Sequence, residues 1–290
     1  MRKAEGEVRK TYFGDVFKRF RRHKLAIVGT VVLAVIVLAV LLLPVVMELD
    51  PYSTARAPAY TAPNSEFLLG TDASGRDNFA RLVYGGRVSL TVGLVSTLIS
   101  MLIGLPLGVC AAYFKGWFEI LVMRLVDLFM SFPSMILIMV LVVIVGPSLW
   151  SVTIVIGVLG WTQFARVIYA SVLSVREREY VESARAAGAG HARIIFRYIL
   201  PNAVAPVIIT ATFRTAAAIL QESSLSFLGM GVQPPAASWG NILNAAQSIT
   251  VLMRRQWFWL PVGGLLVLTV LSINFVGDGL RDALDPRMKV

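Results

Sequence analysis

One cysteine and two histidines are all that 290 residues offer a soft metal ion. Cys110 lies in an apolar run, so the sequence holds no disulfide framework and no Cys cluster, and a protein-built zinc site is not expected. Charge is the second shortage. Asp, Glu, Lys and Arg make up 15% of the chain, against about 25% in a soluble domain, while 57% is hydrophobic. That balance describes a membrane protein before any motif is considered. A third absence is the phosphate-cradling loop G-x-x-x-x-G-K-[ST]. The only Lys followed by Ser or Thr is Lys10-Thr11, preceded by Arg9, so the chain has no ATP-hydrolysing motor and no catalytic residues of its own. Carboxylates are nearly missing from the apolar runs, and no convincing internal repeat is visible. An ion-gradient-driven secondary transporter would want acidic or His relays at mid-span, and often repeats.

What is present is a series of long apolar runs. A crossing helix needs about 20 mostly apolar residues. Spans are expected at about 25–47, 88–114, 119–145, 149–174, 198–221 and 257–278, the third and fourth joined by a tight turn in "VGPSLW". The first is too long for a signal-peptide core of roughly 7–15 residues. The net charge of +10 would suggest nucleic acid in a soluble protein; here it follows cytoplasmic loops instead. Residues 1–24 hold nine Lys and Arg against Glu5, Glu7 and Asp15, and "FGDVFKRFRRHK" reads as an amphipathic helix along anionic lipid rather than a nucleic-acid arm. Positive residues also flank the 2–3 and 4–5 connections and the C-terminal tail. Arg254-Arg255 depart from that bias, and Arg56, Arg76, Arg81 and Arg87 stand in an outer loop nearly balanced by Glu48, Asp50, Glu66, Asp72 and Asp77. The expected layout is a basic cytoplasmic tail (1–24), a first helix (25–47), an extracytoplasmic loop (48–87), a five-helix domain (88–280) and a cytoplasmic tail (281–290). Both termini face the cytoplasm.

Between spans 4 and 5 lies "YVESARAAGAGHARIIFRYILPN". Good helix formers run to Ala187, Gly188 and Gly190 are terminators, and a second helix starts near His191. Its small residues allow close approach by another protein, and it lacks the large apolar residues that a lipid-surface helix needs. Charge bias alone would account for an ordinary basic loop. The register adds more: Glu182-Ser183-Ala184, three residues, Gly188, then Leu200-Pro201 after eleven more. This resembles the EAA signature of ABC-importer permeases, with Ser183 replacing an Ala and Tyr198 standing at an Ile position. Also similar are "LGTDASGRDNFARLVYGGRVSL", "MRLVDLFMSFP", "ESSLSFLGMGVQPPAASWGNIL" and "FVGDGLRDALDPRMK". Together they resemble the C-type permeases of dipeptide, oligopeptide and nickel importers over almost the whole chain.

The resemblance implies an all-α polytopic fold, that of an ABC type I importer (MetI-like) permease with one extra N-terminal helix, in a bacterial or archaeal inner or plasma membrane. It implies a second, homologous permease, two cytoplasmic ATPase subunits (a homodimer or heterodimer), and an extracytoplasmic substrate-binding protein. ATP and Mg are used by those partners, and no cofactor or metal is bound by this chain. Glu182, Ser183, Ala184, Gly188, Leu200 and Pro201 would form the ATPase-coupling segment, a helix at about 178–192, and alternating access would follow its movement. Di- and oligopeptides come first as substrates, nickel or another small solute second. A non-transporting scaffold docking a partner through 176–193 is the rival from another class, and it would need neither Arg214 nor the long outer segment. Arg214 and Asp127 are ionisable groups at or inside spans, where such groups face a bundle interior or an aqueous path. Arg214 is a candidate for the substrate pathway, against a structural role on a backbone carbonyl or a neighbouring acid. Asp72 and Asp77 flank "ASGR", which reads as a Gly/Asp turn and lacks the ligand count of a calcium loop. Pro133, Pro201, Pro206 and Pro261 should kink helices. Residues 222–256 should form short helices or a re-entrant piece, with Trp257 and Trp259 in an aromatic belt.

Overall fold

The computed structural model of the chain describes Gly14 and residues 16–284. Most of the basic tail, and Arg287 and Lys289 of the C-terminal tail, lie outside the described residues. Among the described residues every regular element is helical, nearly all of it α-helix, apart from one isolated bridge between Thr71 and Asp77. In order the helices are α1 (Lys24–Val46), α2 (Asn78–Phe114), α3 (Gly116–Ser131), α4 (Ser134–Val145), α5 (Leu149–Leu159) and α6 (Trp161–Arg176). Then come α7 (Glu179–Ala186), α8 (His191–Ala203), α9 (Ala205–Phe227), α10 (Trp239–Asn244), α11 (Ile249–Arg254) and α12 (Gln256–Leu284). Four segments are long and apolar enough to cross a membrane: α1, α2, α5 with α6, and α12. Counting α3–α4 and α8–α9 each as one bent span gives six.

Several boundaries differ from the sequence expectation. Helix α2 starts at Asn78, ten residues before Val88, so the outer loop stops at Asp77, whose carboxylate caps the helix by accepting from the Phe79 N–H at 2.9 Å. Arg81 and Arg87 therefore belong to a helix rather than to a loop. The third span is no straight helix: α3 and α4 meet at Phe132-Pro133 with a 90° bend. Helix α9 joins α8 at 58° and runs on to Phe227, six residues past Gln221, where span 5 was expected to end. Helix α12 continues to Leu284. The expected turn at 145–150 is present. Gly146 takes φ +96 to stop α4, and Ser148 caps α5 by accepting from the Ser151 N–H.

Helix α2 is the centre of the bundle, with α1, α5, α6 and α9 packed on it. Its closest neighbour is α6, and the approach is set by two glycines a turn apart. A Cβ on Gly104 would lie 2.3 Å from the Trp161 carbonyl, and one on Gly108 2.4 Å from that of Ala165. This is small-xxx-small packing, in which backbones touch because no side chain separates them. At one end Trp239, 0% exposed, seats the short helix α10 on α2 and donates from its indole to the Leu82 carbonyl at 3.1 Å. At the other end Phe164, Ile168, Val181, Ile194 and Ile199 form a second core. The segment after α9 is thus short helices, α10 and α11, with α10 packed on α2, α9 and α12. Trp257 and Trp259 pack partly into the core beneath them instead of forming only a belt, and Trp259 donates to the Leu252 carbonyl at 3.2 Å.

Candidate coupling surface and transport pathway

Helix α7 is short and exposed, and is held from below by one side chain. Val181 is buried in the core made with α6 and α8, while Glu182, Ser183, Gly188 and Pro201 are exposed and Ala184 and Leu200 half-buried. The helix ends in a complete Schellman closure: Gly188 N–H to the Arg185 carbonyl at 3.0 Å and Ala189 N–H to the Ala184 carbonyl at 3.1 Å. Gly188 has φ +79, and nothing lies within 4 Å of where its Cβ would be. Glycine is needed there for backbone conformation, and the space beside it is free. The expected segment at 178–192 is therefore the helix Glu179–Ala186, an exposed turn, and the start of α8 at His191. Glu182 has no ion pair or side-chain hydrogen bond among the described residues.

Beyond the turn the chain is tied to the rest of the bundle. His191 Nδ1 lies 2.8 Å from the hydroxyl of Tyr113, itself 5% exposed, and its ring meets Tyr113 edge-on at 5.6 Å. Arg176 donates to the Ala112 carbonyl at 3.2 Å, satisfying one orphan group at the end of α2. Residues Ile194–Ile199 are wound as a π-helix, and Leu200 N–H reaches back to the Ile195 carbonyl. Pro201, which has no N–H to give, follows directly. Such insertions mark functional segments often enough, and this one links the exposed turn to the bent α8–α9 span. The six motif positions thus occupy one continuous unit, with Glu182 to Gly188 on the exposed helix and its turn, and Leu200-Pro201 at the root of the next span.

Arg214 lies far from that unit, on α9. It is 6% exposed, with Nη2 donating to the Ile156 carbonyl at 3.0 Å and Nη1 to Gln221 Oε1 at 3.1 Å. Its guanidinium rests against Gly160, where a Cβ would come within 2.7 Å of Nε, and it helps line a cavity of about 280 Å³. A backbone-carbonyl role and a place beside a cavity are thus both present. Asp127 on α3 pairs with Arg166 of α6, both roughly half-exposed.

On the opposite end, Asp72 is 5% exposed and carries Arg76 Nε at 2.7 Å and Arg81 Nε at 3.4 Å. Gly75 beside it has φ +72. With Asp77 capping α2, both acids serve the turn itself. Asp77 carries its proton more readily than an ordinary aspartate because burial penalises the charged form. Two residues escaped sequence reading. Tyr113 carries no motif. The sequence expectation puts Glu222 in the outer segment, yet it is 0% exposed within α9, accepting from the Ser226 hydroxyl at 2.7 Å and from Ser89 at 2.9 Å. The neighbouring serines in "QESSLSF" were the available signal.

Comparison with known proteins agrees with this arrangement. Residues 104–290 match the family model described as binding-protein-dependent transport system inner membrane component. Residues 11–64 match the N-terminal TM domain of oligopeptide transport permease C. A putative peptide permease protein of Brucella suis is 46% identical over 272 residues, covering 94% of this chain and 90% of its own. The dipeptide transport system permease protein DppC of Alkalihalophilus pseudofirmus is 38% identical over 275 residues, with 95% and 90% covered. Among solved structures, the inward-facing MetNI methionine ABC transporter superposes with a TM-score of 0.59 at 25% identity, over 71% of this chain and 97% of that one. A bent-helix bundle of up to six spans without a nucleotide-binding loop, matched along nearly its whole length by transport permeases, belongs to the family of binding-protein-dependent transport system inner membrane components, as an ABC importer permease.

Proposed function

We propose that the chain forms, with a second permease, the membrane pathway of an importer for di- and oligopeptides, and that α7 and the turn through Gly188 are the surface on which cytoplasmic ATPase subunits act. The peptide class rests on the relatives, two of whose names specify peptide or dipeptide transport. The docking role rests on one observation above all. Helix α7 exposes Glu182 and Ser183, and its turn exposes Gly188, while a single buried side chain, Val181, roots it in the core. A helix built that way transmits a push from outside into α6 and α8 without needing to unfold. An extracytoplasmic binding protein would deliver substrate to the α10–α11 side, and ATP and Mg would be handled by the ATPases.

The test is peptide-stimulated ATP hydrolysis in vesicles holding the assembled transporter. Glu182→Ala removes an exposed side chain with no partner in its own chain among the described residues, so folding should be untouched and stimulation should fall. Gly188→Arg should also uncouple, because it adds bulk to the open side of the turn. It also forces a side chain into left-handed backbone, costing about 1–2 kcal/mol locally. Full stimulation in Glu182→Ala would remove α7 from the coupling path. Uptake of nickel, with none of peptide, would replace the substrate class.

A further inference from the structure

The elbow between α3 and α4 and the joint between α5 and α6 enclose a cavity whose only ionisable lining group, among the described residues, is Arg214. Its remaining polar lining is neutral, including Gln163 and Gln221, while Phe129, Met130 and Phe132 supply apolar wall. Of the five guanidinium N–H groups, those in use are on Ile156 and Gln221. Nε is buried with no acceptor, and no acid pairs with Arg214 among the described residues. A buried cation without an anion is costly in a membrane-embedded bundle. The site is therefore incomplete as it stands, and what completes it carries negative charge.

Size and surroundings narrow the choice. About 280 Å³ is at the small end of ligand pockets, roughly 300–1,000 Å³, room for one residue rather than a whole oligopeptide. A planar fork of donors suits a carboxylate, the amide side chains suit a peptide bond, and the aromatic wall suits an apolar side chain. The cavity also lies beside a face that lipid would not cover. Arg166, one turn along α6 from Gln163, pairs with Asp127, and these charged side chains are 48% and 55% exposed. Charges left open at that level face water or a partner subunit.

We propose that this cavity holds the C-terminal residue of a transported peptide, with its carboxylate on Arg214 and its apolar side chain against Phe129, Met130 and Phe132. The inference rests on the peptide-importer reading and deepens it by naming what the pathway recognises.

The test uses the assembled transporter in inside-out vesicles, so that peptide reaches the pathway without the binding protein. In a Cys110→Ser background, Ala217→Cys places a thiol on the cavity wall, one turn from Arg214. The probe pair is Ala-Phe and its C-terminal amide. Ala-Phe should slow reaction of the thiol with a small maleimide about tenfold, the scale of one hydrogen-bonded charge pair, and the amide should not. Arg214→Gln should abolish that protection, and Arg214→Lys should keep part of it. Equal protection by acid and amide would overturn the proposal. So would protection that survives Arg214→Gln, or its absence in a transporter that still takes up Ala-Phe. Loss of permease pairing in Arg214→Gln, with no peptide effect on the parent thiol, would assign the anion to the partner permease and also overturn it. Peptide uptake by the intact system is read separately. If no peptide is transported at all, the importer reading itself falls.

Discussion

Pro44 sits inside α1, where it cannot donate to the Val40 carbonyl one turn back. The donor comes from another helix. Arg87 Nε reaches the Val40 carbonyl at 2.8 Å and Nη2 the Leu41 carbonyl at 2.8 Å. In an apolar bundle an unpaired carbonyl is costly, so the arginine is explained by a proline 43 positions away in the chain. Arg87→Met, which keeps an apolar stem, should lower the stability of the detergent-solubilised protein by about 1–3 kcal/mol. In a Pro44→Ala background residue 44 supplies its own N–H, and the same change should cost clearly less. Thermal unfolding of the four proteins measures this coupling, and equal losses in both backgrounds would refute the account. The residue scale is also where sequence reading was weakest. Arg87 looked like one charge among several in a loop, and Glu222 like part of an outer segment. Both are settled by partners far away in the chain, Val40 for one and Ser89 for the other, and no local pattern carries that information.

At the scale of elements, more was legible. Apolar run length gave up to six spans, with the bent pairs α3–α4 and α8–α9 each counted as one. Gly-Pro-Ser gave the α4–α5 turn, and helix formers up to Ala187 followed by Gly188 and Gly190 gave a helix, a stop and a second helix. Hidden were the start of α2 and the 90° elbow at Pro133, because a proline announces a kink without its angle. The α2–α6 crossing is present in the sequence as Gly104 and Gly108, four apart, but the pair does not name the helix that packs on it. It makes a sharp prediction, since the two helix backbones are already in contact there. Gly108→Ile would drive a side chain into the Ala165 carbonyl and Ile168, both 2.4 Å from the added Cβ. It should cost about 1–3 kcal/mol or more as overpacking, and purification should yield little folded protein. Gly263→Ala on α12 is the control, since its nearest neighbour would be an ordinary 3.8 Å away. In a helix interior it should be neutral or stabilising, by about 0.5–1 kcal/mol. Size-exclusion profiles and melting temperatures decide the matter. If the two substitutions behave alike, close backbone approach is not what holds α2 to α6.

For the whole molecule, helix directions follow from contacts alone. Asn78 at the start of α2 donates to the Phe258 carbonyl near the start of α12 at 3.0 Å, so these two helices set out from one side. His23 before α1 lies 3.5 Å from Asp282 near the end of α12, which puts the approach to α1 on the other side. Helix α7 belongs to that second side, since His191 and Arg176 hold the end of α2. The charges then orient the bundle. Arg178, Arg185, Arg193 and Arg197 surround α7 with no acidic partner among the described residues. On the first side, by contrast, Arg76 and Arg81 are held by Asp72 and Arg255 lies 3.8 Å over the Tyr60 ring. That leaves Arg254 as an exposed cation without a partner there among the described residues, against four on the α7 side. Cations already spent on folding contacts weigh less in a loop bias than free ones, so the α7 side should be cytoplasmic. Single thiols in a Cys110→Ser background test this. Ser65→Cys, exposed in the 48–77 loop, should react with a membrane-impermeant maleimide in intact spheroplasts. Glu177→Cys, just before α7, should react only after permeabilisation. The opposite pattern would turn the molecule over, placing α7 where no ATPase could reach it, and the coupling proposal would fall with the topology.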